Sequence, residues 1–137
     1  MPNPNYNKYK KIRNSAMGTA IINLIAKGES TSDFNASYYE HDGGELTTDL
    51  SKHPGTKPGL AKSTAFGRYK FTKDTWDDAA KALGLKDMSP ENQDIAAVWL
   101  ADQQGAVAEF EKGNIDKGVY KLGTKWASLP KNEKGET

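Results

Sequence analysis

Apolar positions recur every three to four residues in the first part of the chain, beginning at Ile12. That spacing predicts an α-helix with one buried face. We expect Gly28 to end this helix in a left-handed conformation, which glycine adopts without a Cβ clash. Glu29 then lies at the end of the helix, away from its buried face. The repeating positions are Ala16, Met17, Ala20, Ile21, Leu24 and Ile25.

The segments on either side of this helix are polar. Residues 1–11 are predicted to form a tail, because they contain no apolar stripe. Residues 30–65 hold Gly-Gly and Pro-Gly pairs among many serine, threonine and aspartate residues, which are turn signals. The strand candidates within them are 37–39 and 45–50, and we expect these two to pair as a small hairpin.

Helical stripes follow again after residue 72. Each begins at a polar capping residue and ends at glycine or proline, which is the usual signature of a helix in sequence. The sum is a predominantly α domain in which a small β insert separates the first helix from the others, so we expect a groove between two lobes. The predicted caps are Thr72, Ser89 before Pro90, and Asn114; the ends are Gly84, Gly105 and Leu129-Pro130; a short helix lies at 107–110.

Composition narrows the possible functions without naming one. The chain has 137 residues and a net charge of +1, which indicates one domain and favours no charged partner. It contains no cysteine, which excludes disulfides and thiolate metal sites. His41 and His53 do not have the spacing of metal ligands, and basic residues alternate with acidic ones after residue 60. We therefore expect no metal, no cofactor, no nucleic acid and no membrane insertion.

Glu29 is the residue best placed for chemistry. A carboxyl group that donates a proton near neutral pH must have a pKa well above its usual value of about 4.3. Partial burial against apolar neighbours raises a carboxyl pKa in this way. The end of an apolar helix is a place where this can happen, so Glu29 is a candidate general acid and base; a solvent-exposed glutamate at a helix end is the alternative.

Several motifs follow one another along the chain: Gly28-Glu29-Ser30-Thr31, Gly43-Gly44-Glu45-Leu46, Asp49, His53-Pro54, Ser63-Thr64-Ala65-Phe66-Gly67-Arg68-Tyr69, Leu83-Gly84-Leu85-Lys86-Asp87, Ser89-Pro90, Gln93-Asp94 and Trp126-Ala127-Ser128-Leu129-Pro130. Together they make the chain similar to the endolysin of phage lambda and its relatives, and the resemblance runs from about Ile21 to Pro130. It implies an α+β, predominantly α, lysozyme-like fold of two lobes. We therefore expect a catalytic domain at 12–130 between polar tails at 1–11 and 131–137.

The resemblance also implies an activity. The family cleaves the β-1,4 bond between N-acetylmuramic acid and N-acetylglucosamine in peptidoglycan as lytic transglycosylases, leaving 1,6-anhydro ends. Glu29 is then the catalytic residue. Such a protein would be made in the bacterial cytoplasm without a signal peptide and would reach the cell wall after release by another factor, or as part of a larger assembly. We expect a monomer whose partner is the glycan strand of peptidoglycan.

Most of the candidate substrate contacts lie within the segment 63–71. Small residues there would let a sugar approach the main chain, and Tyr69 would stack on a pyranose ring. Lys70 stands where the family usually has glutamine, and it would attract the carboxylates of peptidoglycan. Tyr38 and Tyr39 are further stacking candidates. The predicted substrate-binding residues are Ser30, Tyr38, Tyr39, Glu45, Ser63, Gly67, Arg68, Tyr69 and Lys70.

Two other functions remain open at this point. Hydrolytic phage lysozymes of the T4 kind place an aspartate nine residues after the glutamate and a threonine six residues further on. Here those positions hold Tyr38 and Gly44, so the hydrolase pattern is absent. A water-using muramidase would need a second carboxylate from Asp33, Asp42, Glu45 or Asp49. A non-catalytic peptidoglycan-binding module is the third possibility. Relatives commonly continue well beyond the Trp-Ala-Ser-Leu-Pro motif, whereas residues 131–137 follow it here, and a missing segment would leave part of the cleft open.

Overall fold

The computed structural model describes residues 3–29, 36–41, 46–55 and 64–126. This part of the chain contains six α-helices and one short 3-10 helix. No helix among these residues is both long and apolar enough to cross a membrane. The α-helices are α1 (Pro4–Arg13), α2 (Ala16–Gly28), α3 (Lys73–Leu83), α4 (Pro90–Gln103), α5 (Ala106–Glu111) and α6 (Ile115–Leu122), and the 3-10 helix is Ala36–Tyr39.

Helix α4 forms the centre of the fold. Its residues are buried around its whole circumference, from Gln93 to Val98 and again at Leu100 and Ala101. A helix buried on all sides must be covered by several neighbours. Helices α1, α2, α3 and α5 all pack against α4, and α6 packs against α5. The residues that line the predicted site are therefore attached to a central, rigid helix.

The predicted caps of α3 and α4 are confirmed. The Thr72 side chain accepts a hydrogen bond from the Thr75 N–H, and Gly84 ends α3 in the left-handed conformation with φ of 71°. Ser89 caps α4 through the Asn92 N–H, and Pro90 occupies the first turn. These local signals are reliable because the first N–H groups of a helix need partners that the helix itself does not supply.

The prediction of a polar tail at residues 1–11 is wrong. Residues 4–13 form α1, which is capped by the Asn3 side chain and buries Tyr9. The helix is polar on most of its surface, and its apolar contacts come from only three residues: Tyr9 lies in the core, and Tyr6 and Ile12 pack against it. Polar contacts with α4 add to this packing: the Tyr9 hydroxyl donates to the Asp102 carboxylate, and Lys10 pairs with Glu91 at 3.2 Å.

The end of α2 also differs from the prediction. Gly28 is the last helical residue, and it has no left-handed conformation. Glu29 is the C-cap, with φ of −81° and ψ of 2°. The backbone therefore continues in a right-handed turn through the candidate catalytic residue, so Glu29 stays attached to the helix end.

The predicted hairpin strand at 37–39 is a 3-10 helix in the structure. Among the described residues, the pairing that follows it consists of isolated antiparallel bridges, Glu40 with Leu46, His41 with Phe66 and Phe66 with Phe71. Tyr38 of the 3-10 helix bonds to Asp94 of α4, so this segment packs on α4. The second predicted strand, 45–50, contributes Leu46 to one bridge, and Glu45 lies outside the described residues.

The last helix is shorter than its predicted span from Asn114 to Leu129-Pro130, because α6 ends at Leu122. Trp126, beyond that end, is buried, and its indole Nε1 donates to the Tyr69 carbonyl at 2.8 Å. The predicted end at Leu129-Pro130 lies outside the described residues.

Candidate active site

Glu29 lies at the C-terminal end of α2, directly after the buried residues Ile25 and Ala26. Its side chain is partly buried, and its backbone N–H donates to the Ile25 carbonyl at 2.9 Å. This last bond continues the helical pattern and fixes the direction in which Glu29 leaves the helix. The carboxyl group is thus attached to an apolar helix without being enclosed by it.

A tight turn at residues 67–70 carries four of the predicted substrate contacts. The flanking residues Phe66 and Phe71 exchange two backbone hydrogen bonds, each of 2.9 Å, and both rings are buried. Gly67 has φ of 88° and Lys70 has φ of 53°. The Gly67 N–H donates to the Glu40 carbonyl at 2.7 Å, which fastens the turn to the residue after the 3-10 helix.

Two predicted site residues, Tyr38 and Tyr69, contact the carboxylate of Asp94, and a third, Arg68, is joined to them through the Tyr69 hydroxyl. We call these four residues the Asp94 cluster. The hydroxyls of Tyr38 and Tyr69 donate to Asp94 Oδ1 at 2.8 and 2.5 Å. Arg68 Nη1 donates to the Tyr69 hydroxyl at 2.7 Å, and the guanidinium lies 5.3 Å from the centre of the Tyr69 ring. The cluster joins the 3-10 helix and the turn to α4.

Arg68 also connects the turn to the helix that ends at Glu29. Its Nη2 donates to the Asn23 Oδ1 on α2 at 3.2 Å. Asn23 precedes Glu29 by six residues on the same helix. This bond ties the turn at 67–70 to α2.

The phenols of the Asp94 cluster remain protonated over the physiological pH range. Burial raises the pKa of Tyr38 to about 12, and the Asp94 charge acts in the same direction. Burial, followed by the Asp94 charge, raises the pKa of Tyr69 even further. Both hydroxyls are therefore fixed as donors to a carboxylate, which makes their hydrogen bonds charge-assisted and strong.

The structure corrects the predicted roles of Tyr38 and Tyr69. The Tyr69 side chain is 0% exposed and Tyr38 is 4% exposed, so neither ring offers a face on which a sugar could stack. Arg68 is also buried. The hydrogen bonds of these side chains hold the 3-10 helix and the turn at 67–70 to α4. Tyr39 is partly buried, and its role as a stacking residue stays a prediction.

Lys70 is paired within the protein. Its ammonium lies 3.7 Å from the Glu40 carboxylate and donates to the carbonyls of Glu40 and His41 at 3.3 Å each. Both side chains are about nine-tenths buried, with 11% and 10% exposed. The attraction of substrate carboxylates to Lys70 stays a prediction, and it would have to compete with Glu40.

Three other predicted contacts, Ser30, Glu45 and Ser63, lie outside the described residues.

A groove of about 640 Å³ runs along the Asp94 cluster, and its lining includes Tyr38, Tyr39, Glu91 and Asp94. In the described part of the chain, no three acidic or histidine side chains are grouped so that they could hold a metal ion.

The sequence matches the Endolysin family over residues 19–137, which is most of the chain. This protein belongs to the endolysin family. The endolysin of Escherichia phage lambda is 36% identical over 119 residues, covering 81% of this chain and 75% of its own length. The endolysin of Escherichia phage P2 is 36% identical over 94 residues, covering 63% of this chain and 57% of its own length.

Solved structures confirm the lysozyme-like, predominantly α fold. The lysozyme of bacteriophage lambda in complex with a chitohexasaccharide superposes with a TM-score of 0.74 at 36% identity, covering 83% of this chain and 79% of that one. A second bacteriophage lambda lysozyme gives 0.71 at 34% identity, covering 82% and 79%. Membership of the endolysin family makes this chain a lysozyme-like enzyme of peptidoglycan degradation.

Two buried polar residues of α4, which hold the 3-10 helix and the turn at 67–70, received no role from the sequence. Gln93 is fully buried; its Oε1 accepts from the Arg68 N–H at 3.2 Å, and its Nε2 donates to the Tyr38 carbonyl at 3.0 Å. Asp94 is its neighbour. The available signal was an amide and an acid next to Ile95, at the start of a helix with apolar residues on every face. Polar residues in such a helix must be satisfied by partners from elsewhere.

Gly67→Ala is expected to destabilise the protein by at least about 2 kcal/mol. An added Cβ would lie 2.4 Å from Gln93 Oε1, and the φ of 88° is itself unfavourable for alanine. Gln93 cannot move away, because its amide group is held by three hydrogen bonds. Urea unfolding measures the effect. Gly55→Ala is the matched control, since Gly55 has φ of 69° but no atom within 4 Å of an added Cβ. Equal losses in the two variants would contradict the clash.

His53 is expected to make stability fall in weak acid. Its Nε2 donates to the Phe71 carbonyl at 2.8 Å, and its Nδ1 accepts from the Gly55 N–H at 3.0 Å, so the ring is held neutral. Burial lowers the pKa of His53 in the folded protein. Its contribution is therefore complete above the unfolded pKa of about 6.5 and is lost as the pH falls towards the folded pKa, by up to about 1.4 kcal/mol per pH unit.

The measurement is the free energy of unfolding between about pH 7.5 and pH 5, where few carboxyl groups titrate. His53→Asn should be less stable at neutral pH and should show a flatter pH dependence. If wild type and variant lose stability in parallel as the pH falls, His53 is not responsible.

Proposed function

We propose that this endolysin is a lytic transglycosylase that cleaves the bond between N-acetylmuramic acid and N-acetylglucosamine and leaves 1,6-anhydro ends. The observation that carries the proposal is the position of Glu29, a partly buried carboxyl group at the end of apolar helix α2, within the matched family region. The first step needs a positioned carboxyl group that donates a proton, and the proposal assigns that role to Glu29.

The reaction needs one residue in two successive roles. Glu29 donates its proton to the bridging oxygen as the bond from that oxygen to C1 of the muramoyl sugar breaks. The resulting carboxylate then takes the proton from the muramoyl C6 hydroxyl, whose oxygen forms the new bond to C1. Glu29 ends protonated as it began, and no water is consumed.

The surroundings of Tyr38 support this over hydrolysis. Most hydrolytic glycosidases use two carboxyl groups, about 5–5.5 Å or about 6.5–9.5 Å apart. Tyr38 occupies the position nine residues after Glu29, and its phenol is buried and bonded to Asp94. Asp49, another candidate second acid, is exposed, and hydrogen bonds from Ser51 lower its pKa. Asp33, Asp42 and Glu45 lie outside the described residues.

The substrate would be the glycan strand of peptidoglycan. The related bacteriophage lambda lysozyme is seen in complex with a chitohexasaccharide, which is a chain of linked amino sugars. In this protein the half-buried ring of Tyr39 and the partly exposed Lys70, at the end of the turn at 67–70, are the surfaces that we assign to the sugars. The buried residues Arg68 and Tyr69 hold the turn in place.

Digestion of purified peptidoglycan tests the proposal. Muropeptides released by the wild-type protein should carry anhydro ends, which mass spectrometry distinguishes from reducing ends by the mass of one water. Reducing ends as the main product would establish a hydrolytic muramidase instead. Binding to sacculi without any released muropeptide would establish a binding module and refute both enzymatic readings.

A further inference from the structure

Helix α1 lies before the region that matches the endolysin family, which begins at residue 19. It is nevertheless fastened to central helix α4 at three points along its length: Tyr9 to Asp102, Lys10 to Glu91, and Arg13 to Asp94. The first two contacts involve no residue of the Asp94 cluster. The third contact joins α1 to the carboxylate on which the Asp94 cluster is built.

The contact between Arg13 and Asp94 has a defined geometry. Arg13 donates from Nε at 3.0 Å and from Nη2 at 2.8 Å, and both bonds end on Asp94 Oδ2. The other oxygen, Oδ1, accepts the two phenols of Tyr38 and Tyr69. Asp94 has 5% of its side chain exposed and Arg13 has 24%. The guanidinium therefore fixes the orientation of a carboxylate that in turn orients both tyrosines.

We propose that Arg13 is a positioning residue for the reaction: through Asp94 it holds Tyr38 and Tyr69, and through them the 3-10 helix and the turn at 67–70. The proposal rests on the function proposed above. Its physical basis is that a buried carboxylate without a cationic partner is costly. When Arg13 is removed, Asp94 must take up a proton, admit water or rotate, and each change alters its bonds to the phenols.

Trp126 provides a local reporter of this effect. Its indole N–H donates to the Tyr69 carbonyl, so it detects the backbone of the turn directly. The indole N–H resonance in a nitrogen–proton NMR spectrum should therefore shift when the turn moves. This readout needs no substrate, so it remains informative whatever reaction the protein performs.

The experiment compares Arg13→Met, Arg13→Lys and the control Tyr9→Phe. Arg13→Met keeps the apolar stem and loses the charge and all donors. Arg13→Lys keeps the charge and loses the forked geometry. Tyr9→Phe removes another contact between α1 and α4 at Asp102, away from the Asp94 cluster. It therefore controls for looser attachment of α1, and thermal unfolding of each variant measures that attachment.

At a temperature where all variants are folded, kcat/KM on soluble peptidoglycan fragments should fall about tenfold or more in Arg13→Met, the scale expected when a site wall is misplaced by a fraction of an ångström. Arg13→Lys should recover part of the loss. Tyr9→Phe should keep kcat/KM within about twofold of wild type while lowering Tm. The Trp126 indole resonance should shift in Arg13→Met and stay in place in Tyr9→Phe.

Two results would overturn the proposal. One is an equal kcat/KM for Arg13→Met and Tyr9→Phe, with or without a shifted resonance. The other is an unshifted Trp126 resonance in Arg13→Met. If that variant does not fold, Arg13→Lys decides between the same outcomes. A wild-type protein that releases no muropeptides would refute the proposed function instead, and the Trp126 resonance would still test whether Arg13 orders the turn.

Discussion

Glu29→Gln is expected to lower the rate of peptidoglycan cleavage by at least about a hundredfold, because a positioned general acid and base contributes about 10²–10⁴ to a rate. Glutamine has nearly the same shape as glutamate, but it neither donates nor accepts the proton that the reaction transfers. The rate of muropeptide release, measured with excess enzyme to detect residual activity, checks the prediction. Both product formation and loss of sacculus turbidity should fall together.

The fold of Glu29→Gln should be intact. The side chain is only partly buried, and the residue's helical backbone bond to Ile25 does not involve the carboxyl group. Glu111→Gln is the matched control, because Glu111 is also an acid at the C-terminal end of a helix, α5, and is exposed. It should retain wild-type activity. More than a tenth of wild-type activity in Glu29→Gln would show that another group performs the proton transfer.

Asp94→Ala is expected to cost about 3–5 kcal/mol of folding free energy, the range found when one partner of a buried ion pair is removed. The carboxylate accepts two phenols and the Arg13 guanidinium, and all of these donors would lose their acceptor at once. Urea unfolding measures the loss. Because the effect acts on the folded state, the midpoint should fall while the m-value stays unchanged.

Asp94→Asn separates charge from shape at the same position. The amide retains an oxygen for one phenol, but it repels the Arg13 donors or turns an NH₂ group towards the hydroxyls. We expect a loss between those of wild type and Asp94→Ala. A cost below about 1 kcal/mol for Asp94→Ala would mean that the Asp94 cluster behaves like an ordinary surface network, which typically contributes little.

Local signals explain why most helices were predicted correctly. Thr72, Gly84, Ser89 and Pro90 act within one turn of their own position, through hydrogen bonds and φ preferences that need no distant partner. Helix α1 was missed for the complementary reason. Its apolar face consists only of Tyr6, Tyr9 and Ile12 among polar residues, and its polar contacts are with Asp102 and Asp94 of α4, which are 93 and 81 positions away in sequence.

The candidate site shows the same difference between local and distant signals. Glu29 could be predicted as the catalytic acid because a lone acid after an apolar helical stripe, within several family motifs, is visible in the sequence itself. The buried positions of Tyr38 and Tyr69 could not be identified, because a tyrosine followed by polar residues has the same pattern whether its ring faces solvent or packs inside. Their burial depends on Asp94, which is 56 and 25 residues away.

The caps of α3 and α4, the candidate acid and the family resemblance were therefore already present in the order of the residues, since short-range hydrogen bonds, backbone preferences and motif spacing are all properties of neighbouring positions. The assignment of side chains to sugar contact or to support depended on folding, which brings α1, the 3-10 helix and the turn at 67–70 onto α4. The physical reason is that a buried charge such as Asp94 must collect its partners from whichever segments packing places beside it.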